Sequence, residues 1–131
     1  ARCRPVLASY ASEIHHLGDV GTGQRAKLVN NLLFGAQTEL AIEAARIAES
    51  FGIDPVVLAR TLHNCSGASA ALDLVPLMGS ADALLRGAGW TIFKDVQYVI
   101  RLMDELDTPL GSFEGVIGAA LRRTEAHQRH H

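Results

Sequence analysis

Gly21-Thr22-Gly23-Gln24-Arg25-Ala26-Lys27-Leu28-Val29-Asn30-Asn31 leads into the segment Gln24 to Ser50, which contains no Pro and, among glycines, only Gly35. Apolar residues follow at Leu28, Val29, Leu32, Leu33, Phe34, Ala36, Leu40, Ala41, Ile42, Ala44, Ala45, Ile47 and Ala48. At helical spacing they nearly encircle the axis, so this helix is expected to be long, central and buried. Glu39, Glu43 and Arg46, at i, i+4 and i+7, are expected to form its narrow solvated stripe. The breakers Gly18 to Gly23 precede the helix, and Gly52 stops it.

Working outward, Pro5 to His16 reads as a short helical stretch, ending in Glu13-Ile14-His15-His16-Leu17, whose weak alternation predicts one strand. Nothing later supplies a partner strand. A lone strand cannot pair its backbone groups, so it would belong to a sheet outside this sequence or to a second copy. Ala1-Arg2-Cys3-Arg4-Pro5 has neither an initiating Met nor a signal-peptide core, so the chain is expected to begin inside a longer protein.

Downstream, Asp54 and Pro55 make an N-cap and first-turn pair for a helix to about Asn64, closed by Ser66-Gly67. Ala68 to Met78 and Ala81 to Arg86 are shorter helical candidates, and Gly87-Ala88-Gly89 is expected to stop the second. Asp95, followed by Val96, Val99, Ile100 and Met103, predicts an N-capped helix to about Leu106. Ser112 is placed to cap a last helix through Val116, Ile117, Ala120 and Leu121 to about Glu125. The fold class is therefore all-α, a bundle around one long helix with a strand remnant. The divisions are residues 1–18, the remnant of a preceding domain; 19–125, the helical domain; and 126–131, a polar tail.

With 131 residues, 48% of them hydrophobic, one domain can build its own core. Twelve Lys and Arg against fourteen Asp and Glu leave a charge of -2, without the basic field that nucleic-acid binding requires. Around Leu28 to Phe51 the apolar run is interrupted by Asn30, Asn31, Gln37, Glu39, Glu43 and Arg46, so no membrane span is expected. Cys3 and Cys65 are too few for a disulfide framework, which makes a reducing cytoplasm the default compartment. His127, His130 and His131 sit on a tail and are not read as a metal site.

The residues from Gly21 to Ala26 spell G-x-G-x-x-A before a helix, a variant of the dinucleotide fingerprint. That fingerprint needs a second parallel strand after its helix; here Asp54-Pro55 and more helix follow, so the Rossmann reading is rejected. A Walker A loop also fails, because Gln24 stands where its lysine must be. What survives is a glycine turn that presents backbone N–H groups, with Arg25 and Lys27 in the first turns of the helix. A helix N-terminus already carries about half a positive charge, so the added cations make a junction that attracts a carboxylate or phosphate. Asn31, one turn after Lys27, lies on the same face. Lysine and asparagine so spaced can hold one oxygen between them, the first by proton transfer and the second by a neutral hydrogen bond. The alternatives are a lysine that only reaches solvent and amides that only bond neighbouring backbone.

Gly21 to Asn31, as G-x-G-x-x-x-K-x-x-x-N, resembles the interdomain segment of the β-hydroxyacid dehydrogenases, the group of 3-hydroxyisobutyrate and tartronate semialdehyde dehydrogenases. Glu43-Ala44, Gly52-Ile53-Asp54, Lys94-Asp95 and Pro109-Leu110 follow in family order. The resemblance covers roughly Glu13 to Leu121. It implies a helical domain of the 6-phosphogluconate dehydrogenase C-terminal type, a small 3-hydroxy acid as substrate and NAD or NADP as cofactor. Lys27 would be the general acid/base, with Asn31 and Gly23 at the substrate. Lys94 and Asp95 would lie at the cofactor, Asp95 mainly as the cap that fixes Lys94. A Rossmann domain would precede the segment, the helical domains of two copies would pair, and the chain alone would be inactive. Imine reductases resemble this fold but commonly lack the lysine, so Lys27 favours a hydroxy acid. The stretch before Lys94 departs from the pattern, being compact, with Trp90 and Phe93 read as core rather than pocket. The rival functional reading is a non-catalytic helical interaction module in which Lys27 and Asn31 are structural; a third is an anion sensor built on Gly21 to Lys27.

Overall fold

The structure, a computed structural model, describes residues 5, 8, 9 and 12–128, and of 88–91, 127 and 128 the backbone alone. Most of the short helical stretch expected from Pro5, together with Cys3, His130 and His131, falls outside those residues. Among the described residues every regular element is helical. The strand expected over Glu13 to Leu17 is not formed: those residues carry no ladder, and no described segment offers an edge with which they could pair. No helix of the described residues is long and apolar enough to cross a membrane.

Helix α1, Thr22–Ser50, starts two residues before the expected Gln24 and ends where expected. Gly52, at φ 73°, turns the chain out of the helix, and the Ile53 N–H donates to the Ala48 carbonyl at 2.8 Å. Helix α2, Pro55–Leu62, is capped as its sequence predicts, the Asp54 carboxylate accepting from the N–H groups of Val56 and Val57 at 2.7 and 3.1 Å. The candidate over Ala68 to Met78 shrinks to α3, Leu74–Met78. Before it, Ser69 Oγ accepts from the Leu72 N–H at 3.1 Å and holds a turn instead. Ser80 caps α4, Ala81–Leu84, by accepting from the Ala83 N–H.

The main departure follows α4. Gly87-Ala88-Gly89 does not stop the chain; Leu85–Gly89 form a π-helical turn that runs straight into α5, Trp90–Glu105. Asp95 therefore lies inside α5 and is not its N-cap. Leu84, Leu85, Phe93 and Val96 are all buried on either side of the glycines. Their burial, about 1.5–3 kcal/mol for each large side chain, outweighs a helix penalty of about 1 kcal/mol per glycine. Helix α6, Phe113–Gln128, begins directly after Ser112 and carries the first residues of the expected polar tail as helix.

Helices α1, α5 and α6 pack together, with Leu32, Ala36, Val96, Val99 and Ile117 buried between them. The C-terminal half of α1 is backed by α2, α3 and α4 around Ala41, Ile42, Ala45, Ala59, Leu72 and Val75. Phe93 is core, as its sequence context suggests. At Gly35 α1 and α5 approach closely: a Cβ there would stand 2.4 Å from Val96 Cγ2. Gly35 faces Val96, and Leu28 and Leu32 line one groove with Val99 and Met103, so α1 and α5 run antiparallel.

Two expectations about α1 fail. Glu39 is 2% exposed rather than solvated, and its Oε1 accepts from Arg123 of α6, from Nε at 3.2 Å and Nη2 at 2.9 Å. Arg123 also donates to Glu43, and Arg46 donates to Asp82 at 3.2 Å. The solvated face is instead apolar: Val29, Leu33, Leu40 and Ile47 are each 45–64% exposed. The helix is central on one side only, because the others wrap the side that carries Glu39.

Candidate active site

The start of α1 is built by glycine. Gly21 occupies the N-cap position at φ 94° and ψ -16°, a left-handed conformation that a side chain would strain. The Thr22 N–H donates back to Asp19 O and the Arg25 N–H to Gly21 O, each at 3.1 Å. No side chain caps the helix, and its first turn holds no acidic residue. The N-terminal dipole is thus left uncompensated by the protein.

Gly23, Arg25 and Lys27 are all exposed beside this uncapped end. A Cβ on Gly23 would meet nothing within 4 Å, so the backbone there is open to an approaching molecule. Asn31 is half-buried one turn after Lys27. Among the described residues neither side chain takes a hydrogen-bond or ion-pair partner. The alternative in which the Asn31 amide bonds neighbouring backbone is therefore not realised. Further along the same face, Phe34 packs against the core cluster that includes Ala41 and Ala45, and Thr38 is buried with its hydroxyl donating to Phe34 O at 2.8 Å. The pair Lys27 and Asn31 accordingly stands on a shelf at the point where the covering of α1 by the other helices ends.

Lys94 and Asp95 are not brought to that shelf. Both are exposed on α5, and Lys94 shares its outward face with Tyr98 and Arg101 at i+4 and i+7. Along the antiparallel pair, Val96 is level with Gly35, eight residues beyond Lys27, or roughly 12 Å at 1.5 Å per residue. No group of three or more His, Cys, Asp or Glu side chains among the described residues is placed to hold a metal ion. The imidazole of His127 and the last two histidines lie outside the described side chains.

The arrangement offers a nucleophilic or proton-carrying amine, a neutral amide and a positive helix end, all open to solvent. That donor set suits a small anion that also carries a hydroxyl or carbonyl oxygen. From Gly21 to residue 130 the chain matches the family described as NAD-binding of NADP-dependent 3-hydroxyisobutyrate dehydrogenase. The chain belongs to this family. Among curated relatives, the 3-hydroxyisobutyrate dehydrogenase of Pseudomonas aeruginosa is 42% identical over 74 residues, 56% of this chain and 25% of that protein. The 2-(hydroxymethyl)glutarate dehydrogenase of Eubacterium barkeri is 33% identical over 72 residues, 55% of this chain and 24% of that protein. The mitochondrial 3-hydroxyisobutyrate dehydrogenase of Bos taurus is 37% identical over 67 residues, 51% of this chain and 20% of that protein. The matched segments thus span about a quarter of the length of these relatives or less. No solved structure matches the chain. Family membership places the glycine turn and Lys27 inside the matched residues, at the start of the match.

Proposed function

We propose that this chain is the helical domain of an NAD- or NADP-dependent oxidoreductase acting on a small 3-hydroxy acid, and that Lys27 moves the proton of the substrate hydroxyl. The observation that carries the reading is Lys27, exposed and unpaired at the uncapped, positive start of α1, with Asn31 one turn further on the same face. The nicotinamide cofactor, when bound, supplies the hydride acceptor. The residues of this chain do the rest. Arg25 and the first-turn N–H groups draw the substrate carboxylate to the helix end. The bare backbone at Gly23 lets it come close. The Asn31 amide donates to the substrate oxygen, and the Lys27 amine takes the hydroxyl proton during oxidation and returns it during reduction.

Adenine, ribose and pyrophosphate have no evident seat: the described residues contain no strand with which to build a strand–turn–helix crossover. A nucleotide-binding domain is proposed to precede the helical one, with residues 1–18 as its end and 19–125 as the present domain, and the 131 residues alone are proposed to be inactive. Lys94 and Asp95 would reach the cofactor only from the outward face of α5, so the proton-transfer reading rests on Lys27 and Asn31. Two copies are proposed to pair through their helical domains.

The test is Lys27→Ala in the protein carrying its nucleotide-binding domain. Turnover should fall about 10²- to 10⁴-fold with KM for the acid little changed, and an added alkylamine should restore part of it. Turnover equal to that of the parent would exclude Lys27 as the acid/base.

A further inference from the structure

A cavity opens between the start of α1 and the end of α5, on a side of α1 away from Lys27 and Asn31. The register set by Gly35 against Val96 puts Leu32 level with Val99, Leu28 with Met103, and Arg25 with Leu106. Buried Leu32 and Val99 lie at the inner end of the cavity, and half-buried Leu28, Leu102 and Met103 form its walls. Exposed Val29 and Leu106 stand at its outer edge. Among the described residues Arg25 is the one charged group in the lining, and its guanidinium takes no hydrogen-bond or ion-pair partner. Asp104, Glu105 and Asp107 occupy the same end of α5, yet none of them is paired with it.

We infer that this cavity holds a free medium-chain carboxylic acid, with its alkyl chain between α1 and α5 and its carboxylate on Arg25. The volume of about 390 Å³ lies in the range of small-molecule sites. Arg25 and Leu32 are seven residues apart, about 10 Å along the helix. An extended chain advances about 1.2 Å per bond, so roughly eight bonds fill that length. That is the reach of an acid of roughly eight or nine carbons, and a membrane lipid's acyl chain would overrun it. Charge complementarity decides the head group. An uncharged chain would leave the guanidinium unused, and a hydrophilic anion would leave seven apolar side chains in water. A single chain ending in a carboxylate satisfies both, the head by a charge-assisted hydrogen bond. The binding itself is independent of hydride transfer. Its consequence rests on the reading above: a filled cavity draws the Arg25 side chain toward α5 and away from a hydroxy acid at the helix end.

The experiment is a calorimetric titration of the 131-residue chain with sodium octanoate below its micellar concentration. A dissociation constant on the order of 0.1–1 mM is expected for a ligand of this size, with a negative heat-capacity change from the apolar surface buried. Arg25→Gln should weaken octanoate about tenfold or more, whereas 1-octanol should bind parent and variant alike. Val29→Trp, at an exposed position, fills the cavity and should abolish binding with unchanged helical circular dichroism. Lys27→Ala should leave octanoate binding as it is. No binding at millimolar octanoate would overturn the inference and leave the cavity to a second copy or a preceding domain. Binding that survives Val29→Trp, or that Lys27→Ala removes, would overturn it too, because the acid would then sit elsewhere. Equal affinity of the parent for octanoate and octanol would overturn the carboxylate contact with Arg25. None of these results depends on turnover, so the proton-transfer role of Lys27 stands or falls separately.

Discussion

Gly35→Ala sets two well-known effects against each other in a place where the geometry decides between them. In the middle of a helix, alanine is favoured over glycine by about 0.5–1 kcal/mol. At Gly35, however, the new methyl would lie 2.4 Å from Val96 Cγ2 and 3.7 Å from both Ile117 Cδ1 and Ile92 Cγ2. Val96 is fully buried, and a β-branched side chain in a helix has little rotamer freedom with which to withdraw. The helices must separate, and overpacking of this kind costs about 1–3 kcal/mol. The net loss should be about 1–2 kcal/mol, which lowers Tm by roughly 5 °C for a domain of this size. Thermal unfolding followed by circular dichroism measures it. Gly115→Ala is the internal control: it lies in α6 with nothing within 4 Å of the added Cβ and should raise Tm by a few degrees. If Gly35→Ala stabilised the protein as Gly115→Ala does, the close approach of α1 and α5 would be wrong.

Two further outcomes follow from named contacts. Arg123→Met leaves the buried Glu39 carboxylate without its cation and should cost about 3 kcal/mol in urea unfolding, while adding Glu39→Leu to that variant should recover most of the loss. Asp54→Ala removes the acceptor of the Val56 and Val57 N–H groups and should cost about 1 kcal/mol, read as faster amide exchange at those two positions.

How much of this was legible beforehand depended on whether a signal was local. The cap at Asp54 and the start of α2 are written in adjacent residues, and the structure keeps them. The extent of α1 follows from an absence of breakers, which is also local. The stop at Gly87-Ala88-Gly89 was a local rule that lost to tertiary burial, and the capping role of Asp95 was lost with it. Glu39 shows the limit most plainly: at i, i+4 and i+7 with Glu43 and Arg46 it matches a solvated stripe, and only Arg123, 84 residues away, makes its burial affordable. Val29, Leu33, Leu40 and Ile47 were misread as core for a related reason, since helical spacing alone does not show which face of α1 the other helices cover. Lys27 and Asn31 were legible as neighbours because helical spacing alone puts them on one face. Lys94 was not placed by that logic, since its relation to Lys27 depends on how α5 lies against α1.

The Arg123 contact also ties the register of α6 to that of α1. The buried face of α6 carries Ile117, Ala120 and Thr124, and Ile117 is packed among Leu32, Ala36, Val96 and Val99. A slip of one turn, about 5.4 Å, would carry the guanidinium past Glu39 and Glu43 and leave a carboxylate enclosed without a counter-ion, at a cost of several kcal/mol. Apolar packing at Ile117 and the charged pin at Arg123 therefore hold the last helix at the same point along its length.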